Sequence, residues 1–87
     1  MIFYISKLLN SDKAITKIEG ETIYNFIKEK NPNKIILDFN NLNLITTVFL
    51  NSLLKNLVNN RIIFRNIKNN FEMHKLRLVV SNSFSHN

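Results

Sequence analysis

Cysteine is absent from this 87-residue chain, and it has one glycine (Gly20), one proline (Pro32) and one alanine (Ala14). Without thiols there is no disulfide framework, no Cys-based zinc site and no sulfur nucleophile. A lone glycine excludes the P-loop and the dinucleotide fingerprint, each of which needs several glycines beside phosphate. Histidine is scarce too: His74 and His86 lie near the carboxyl end, and no two histidines stand at the helical spacing of a metal motif. No apolar run approaches the ~20 residues of a membrane helix. The start, Met1 to Leu9, is apolar but has no basic region ahead of it and is interrupted by Lys7, unlike a signal peptide. The expectation is a cytoplasmic protein with no cofactor, no metal and no membrane partner.

What is present fits a globular domain. Hydrophobic residues make up 45% and charged residues 21% of the chain, near the average for soluble domains and far from the balance that leaves chains disordered. The length suits one domain spanning residues 1–87, which buries roughly 60–65% of its unfolded surface. The net charge is +6 and the pI about 9.9. Such a balance suits a nucleic-acid or acidic-lipid partner. It also follows from AT-rich coding, which favours the 16 Asn, 12 Ile and 9 Lys found here over the 3 Arg.

Hydrophobic periodicity sets out the elements. Ile2 to Ile5 is β-branched and aromatic and reads as a strand. A turn over Asn10 to Lys13 leads to a short strand at Ala14 to Ile18. Gly20 then punctuates the chain before a helix that carries Ile23, Phe26 and Ile27 on one side and Lys28 and Lys30 in its last turn. Asn31-Pro32-Asn33 ends it. Ile35-Ile36-Leu37, within Lys34 to Phe39, is continuous and apolar, as in a strand covered on both faces. A second helix over Thr46 to Asn59 has Leu50, Leu53, Leu54, Leu57 and Val58 as its stripe. Arg61 to Ile67 is another strand, and Asn69 or Asn70 opens a last helix with Met73, Leu76, Val79 and Val80 on its apolar side. Residues 76–80 fit a strand equally well, and 81–87 read as a flexible tail. The fold class is α/β, about four strands covered by about three helices in the order β-β-α-β-α-β-α.

The segment Lys34 to Leu54 resembles the core of the STAS-like domains of bacteria, relatives of the anti-sigma-factor antagonists. In that family an apolar strand ends in Asp, a short loop and an apolar pair follow, and hydroxyl residues open a helix. Here these parts match Ile35-Ile36-Leu37-Asp38, then Leu42 and Leu44-Ile45, then Thr46-Thr47. Phe49-Leu50 resembles the STAS-like subfamily, which has an aromatic residue where true antagonists have Gly. The resemblance implies a non-enzymatic regulatory module that binds a protein partner, such as a histidine-kinase-like ATPase or a transcription regulator. In true antagonists the ATPase phosphorylates a hydroxyl at the start of this helix. Alignment on Asp38 puts Thr46 at the motif's acidic position, Thr47 at its first hydroxyl and Val48 at the second, the phosphoacceptor. Valine accepts no phosphate, so the resemblance carries partner binding further than phosphorylation.

Three groups of residues are candidates for function. Asp38, Thr46 and Thr47 form a loop or switch group, with helix capping and a strand-end turn as the structural alternatives. Phe49, Asn51, Ser52 and Lys55 form a partner surface if Phe49 is exposed, whereas a buried Phe49 fills the sheet–helix boundary. Arg61, Arg65, Lys68 and Arg77 form a basic patch for nucleic acid, or mark strand ends and a solvated helix face. Self-association through free strand edges is a further expectation.

Overall fold

A computed structural model describes residues 1–55, 57 and 61–67. The expected last helix, the alternative strand at 76–80 and the tail at 81–87 lie outside the described residues, as do Lys68 and Arg77. The elements are β1 (Ile2–Tyr4), α1 (Ile5–Leu9), β2 (Lys13–Ala14), α2 (Lys17–Lys30), β3 (Lys34–Asp38), β4 (Leu44–Ile45), α3 (Thr47–Leu54) and β5 (Arg61–Arg65). The expected small α/β sheet covered by helices is present, and the short α1 and β4 add to the expected order.

β1, β3 and β5 form a parallel sheet in the order β1-β3-β5, with the continuous apolar strand β3 in the centre. β2 and β4 pair separately, also in parallel. Side chains alternate across a strand, so each face of the sheet is read off by twos. Phe3, Ile35 and Leu37 point to the covered face and are buried, with Ile62 and Phe64 packed against them. Ile23 and Ile27 of α2 and Leu50, Leu53 and Leu54 of α3 complete that core, and the Phe3 ring meets Phe26 of α2 edge-on at 6.1 Å. Burying such side chains is worth about 1.5–3 kcal/mol each, so the packed face is the main source of stability.

The chain's single glycine leaves its sharp turns to asparagine. Asn10, Asn31, Asn41 and Asn66 all have positive φ, and Asn10 and Asn31 cap the carboxyl ends of α1 and α2. Asparagine is the non-glycine residue best suited to this left-handed region.

Three expected boundaries are corrected. Gly20 does not precede a helix but sits buried inside α2, which starts at Lys17 because Thr16 and Glu19 form a reciprocal capping box. The expected strand at Ala14 to Ile18 is therefore only Lys13–Ala14. Helix α3 stops at Leu54, short of the expected Asn59.

Candidate functional site

The ladder between β2 and β4 brings the starts of α2 and α3 together. The Thr46 amide donates to the Ala14 carbonyl at 3.0 Å, and the Thr46 hydroxyl donates to the Ile15 carbonyl. The same hydroxyl accepts from the Phe49 amide at 3.1 Å, capping α3. Thr46 is thus a cap and a tie between helices, with its hydroxyl engaged on both counts. Thr47 and Val48 follow as the first two helical residues, and both are exposed, Val48 to 56%.

Of the four residues offered as a partner surface, the structure divides two from two. Asn51 and Lys55 are exposed, whereas Phe49 is fully buried and Ser52 is 4% exposed. Phe49 belongs to the buried core, so it is removed from the contact surface. Ser52 is removed as well. Its hydroxyl donates to the Phe49 carbonyl at 2.9 Å, and it faces Gly20 of α2. Val48, Asn51 and Lys55 stand at i, i+3 and i+7, one outward stripe of α3. Val48, the missing member of that stripe, was legible as the residue in the phosphoacceptor position. Beside the stripe, Glu21, Tyr24, Asn25, Ser52 and Lys55 line a shallow groove of about 220 Å³, below the roughly 300–1,000 Å³ of small-molecule pockets.

Asp38 ends the central strand and is buried. Its Oδ1 accepts from the Asn40 amide at 2.9 Å and from Asn66 Nδ2 at 2.8 Å, and Arg65 lies 3.5 Å from Oδ2. It binds the loop after β3 to the end of β5, so its acceptor capacity is directed inward. That also decides part of the basic patch. Arg65 is paired with Asp38 at one end of β5, while Arg61 stands at the other end beside Lys34. The four-residue separation spreads the two arginines about 13 Å along the strand. The neighbour of Arg61 is therefore Lys34, a pairing set by parallel register and invisible in local spacing.

Glu19 closes the capping box at the start of α2. The amides of Thr16 and then Ile15 donate to its carboxylate and hold it below its ordinary value of 4.5. Among the described residues, no three His, Asp or Glu side chains gather to hold a metal. No described helix is long and apolar enough to cross a membrane.

A small parallel sheet with helices starting side by side, and a capped hydroxyl junction after a strand-end Asp, make up a small α/β domain. The model of the family described as "STAS-like domain of unknown function (DUF4325)" matches residues 19–80, most of the chain, and the chain belongs to that family. No curated protein and no solved structure matches it.

Proposed function

We propose that this chain is a non-enzymatic interaction module that regulates a protein partner by binding it through the outward side of α3. The observation that carries this reading is the outward stripe Val48, Asn51 and Lys55, with an apolar side chain 56% exposed at its head. Large apolar groups held in water beside adaptable polar ones suit a contact surface. The resemblance supports the same place, since the phosphoacceptor of true antagonists aligns with Val48. An apolar contact there is not gated by added charge, so the partner, a histidine-kinase-like ATPase or a transcription regulator, binds without a phosphorylation cycle at that residue. Thr46 has its hydroxyl committed to the Ile15 carbonyl and the Phe49 amide, which leaves Thr47 as the exposed hydroxyl of the junction.

Paired affinity capture with the parent and with Val48→Asp tests this reading. The expected outcome is a partner retained by the parent and lost by the variant, with equal thermal midpoints for the two baits. Identical captured sets overturn it.

The nucleic-acid reading is supported by a smaller feature, Arg61 beside Lys34. It calls for binding that weakens steeply with added salt.

A further inference from the structure

Helix α2 begins without a hydrophobic staple, and a carboxylate stands in for one. A staple takes apolar side chains at the residue before the cap and at the fourth helical position. In α3 those places hold Ile45 and Leu50, both buried. In α2 they hold Ile15, which is 39% exposed, and Gly20, where α3 leaves no room for a side chain. The path of Ile15 and Thr16 is fixed by Glu19 instead. Its Oε1 accepts from the Ile15 amide at 3.1 Å and from the Thr16 amide at 2.9 Å. Those amides belong to two consecutive peptide groups, and in a trans peptide the carbonyl points away from the N–H. The two carbonyls serve α3. The Ala14 carbonyl accepts from the Thr46 amide at 3.0 Å, and the Ile15 carbonyl accepts from the Thr46 hydroxyl. Helix α3 depends on them because its third residue, Phe49, has no oxygen to return to the cap amide as Glu19 does in α2. The other end of the β2–β4 ladder is held separately, with Asn43 Nδ2 donating to Asp12 Oδ2 at 2.7 Å.

We infer that Glu19, a residue of α2, is a positioning residue for the start of α3: it holds Thr46 through two peptide groups and so sets how Val48 is presented. That Val48 is a contact residue rests on the function proposed above, whereas the link from Glu19 to Thr46 does not. The link needs an acceptor oxygen at the reach of a glutamate side chain. A negative charge in the first turn, which favours any helix start through the dipole, does not supply it by itself. The two requirements separate in simple variants. Glutamine keeps the reach and the oxygen without the charge, and aspartate keeps the charge on a side chain one methylene shorter.

The test measures amide hydrogen exchange at Phe49, whose N–H is held by the Thr46 hydroxyl, and the methyl signals of Val48 in the full chain. Exchange is referred to Leu37 in the central strand, so that a general loss of stability cancels. Glu19→Asp is expected to speed Phe49 exchange about fivefold, the factor for one lost cap, and to shift the Val48 methyls. Glu19→Gln is expected to match the parent in both. Thr16→Ala removes the hydroxyl that caps α2 but leaves both amides on Glu19, and is expected to leave Phe49 and Val48 near the parent's values. Glu19→Ala is expected to follow Glu19→Asp, and if it folds poorly the Asp and Gln variants decide between them. The inference is overturned if Asp protects Phe49 as well as Gln does, or if Thr16→Ala exposes it as much as Glu19→Asp. It is equally overturned if the Val48 methyls stay in place while Phe49 exchange rises. Failure of the contact surface itself would be seen elsewhere, as an unchanged captured set for Val48→Asp.

Discussion

Gly20 of α2 and Ser52 of α3 face each other where the two helices pack closely. A methyl group built on Gly20 overlaps Ser52 Oγ and comes within 2.6 Å of the Phe49 carbonyl oxygen and 3.1 Å of the Leu53 amide nitrogen. Glycine here serves close packing, since α2 is regular at this point and its φ is not positive. In an open helix Gly→Ala gains about 1 kcal/mol. Here the backbone of α3 blocks the gain, so Gly20→Ala is expected to lower stability by about 1–3 kcal/mol, the usual cost of overpacking. Adding Ser52→Gly is expected to recover only part, because the Phe49 carbonyl remains in the way. Thermal and urea denaturation of the two variants check this.

Asp38 and Arg65 are paired but not equivalent. Asp38→Ala removes the buried acceptor of the Asn66 side-chain amide and the Asn40 backbone amide, two part-buried hydrogen bonds, and is expected to cost about 1–3 kcal/mol in total. Arg65 has a side chain 44% exposed, and Arg65→Ala is expected to cost under about 1 kcal/mol, as for solvent-screened pairs. Urea denaturation measures both, and equal losses would contradict the inward role given to Asp38.

Acid weakens the start of α2. The Glu19 carboxylate is held below 4.5 by the Thr16 and Ile15 amides, so its folded-state pKa is lower than its unfolded one. The stability this adds is fully present above the unfolded value and is lost as pH falls through the folded one. Glu19→Gln keeps the capping-box geometry without a charge to titrate. The variant's midpoint is expected to fall less than the parent's as pH drops from about 5 to about 3. Parallel pH curves for the two proteins would contradict the assignment.

Much of the fold was legible because two strands, around Ile35-Ile36-Leu37 and Ile62-Ile63-Phe64, are continuously apolar and need covering. The start of α2 was harder to read. A lone Gly20 looks like punctuation, and only the approach of α3, some 30 residues on in the chain, shows why a helix tolerates it. The partners of Asp38 were out of reach for the same reason, since Asn66 is 28 residues away. A hydroxyl cap at Thr46 or Thr47 followed from their place before an apolar helix, and packing gives it to Thr46. The burial of Phe49 depended on which side of α3 meets the core, and a helix with apolar residues at 48, 49, 50, 53 and 54 leaves that ambiguous until packed. The side not packed then shows Val48, Asn51 and Lys55 as the surface.

The most direct test of that surface compares dissociation constants of the captured partner for the parent, Val48→Asp and Lys55→Glu, alongside Phe49→Ala. Val48→Asp and Lys55→Glu are expected to weaken binding about tenfold or more while leaving the thermal midpoint near the parent's. Phe49→Ala is expected to lose about 3–5 kcal/mol of stability instead, marking it as core. Parent-like affinity in both Val48→Asp and Lys55→Glu would contradict the account.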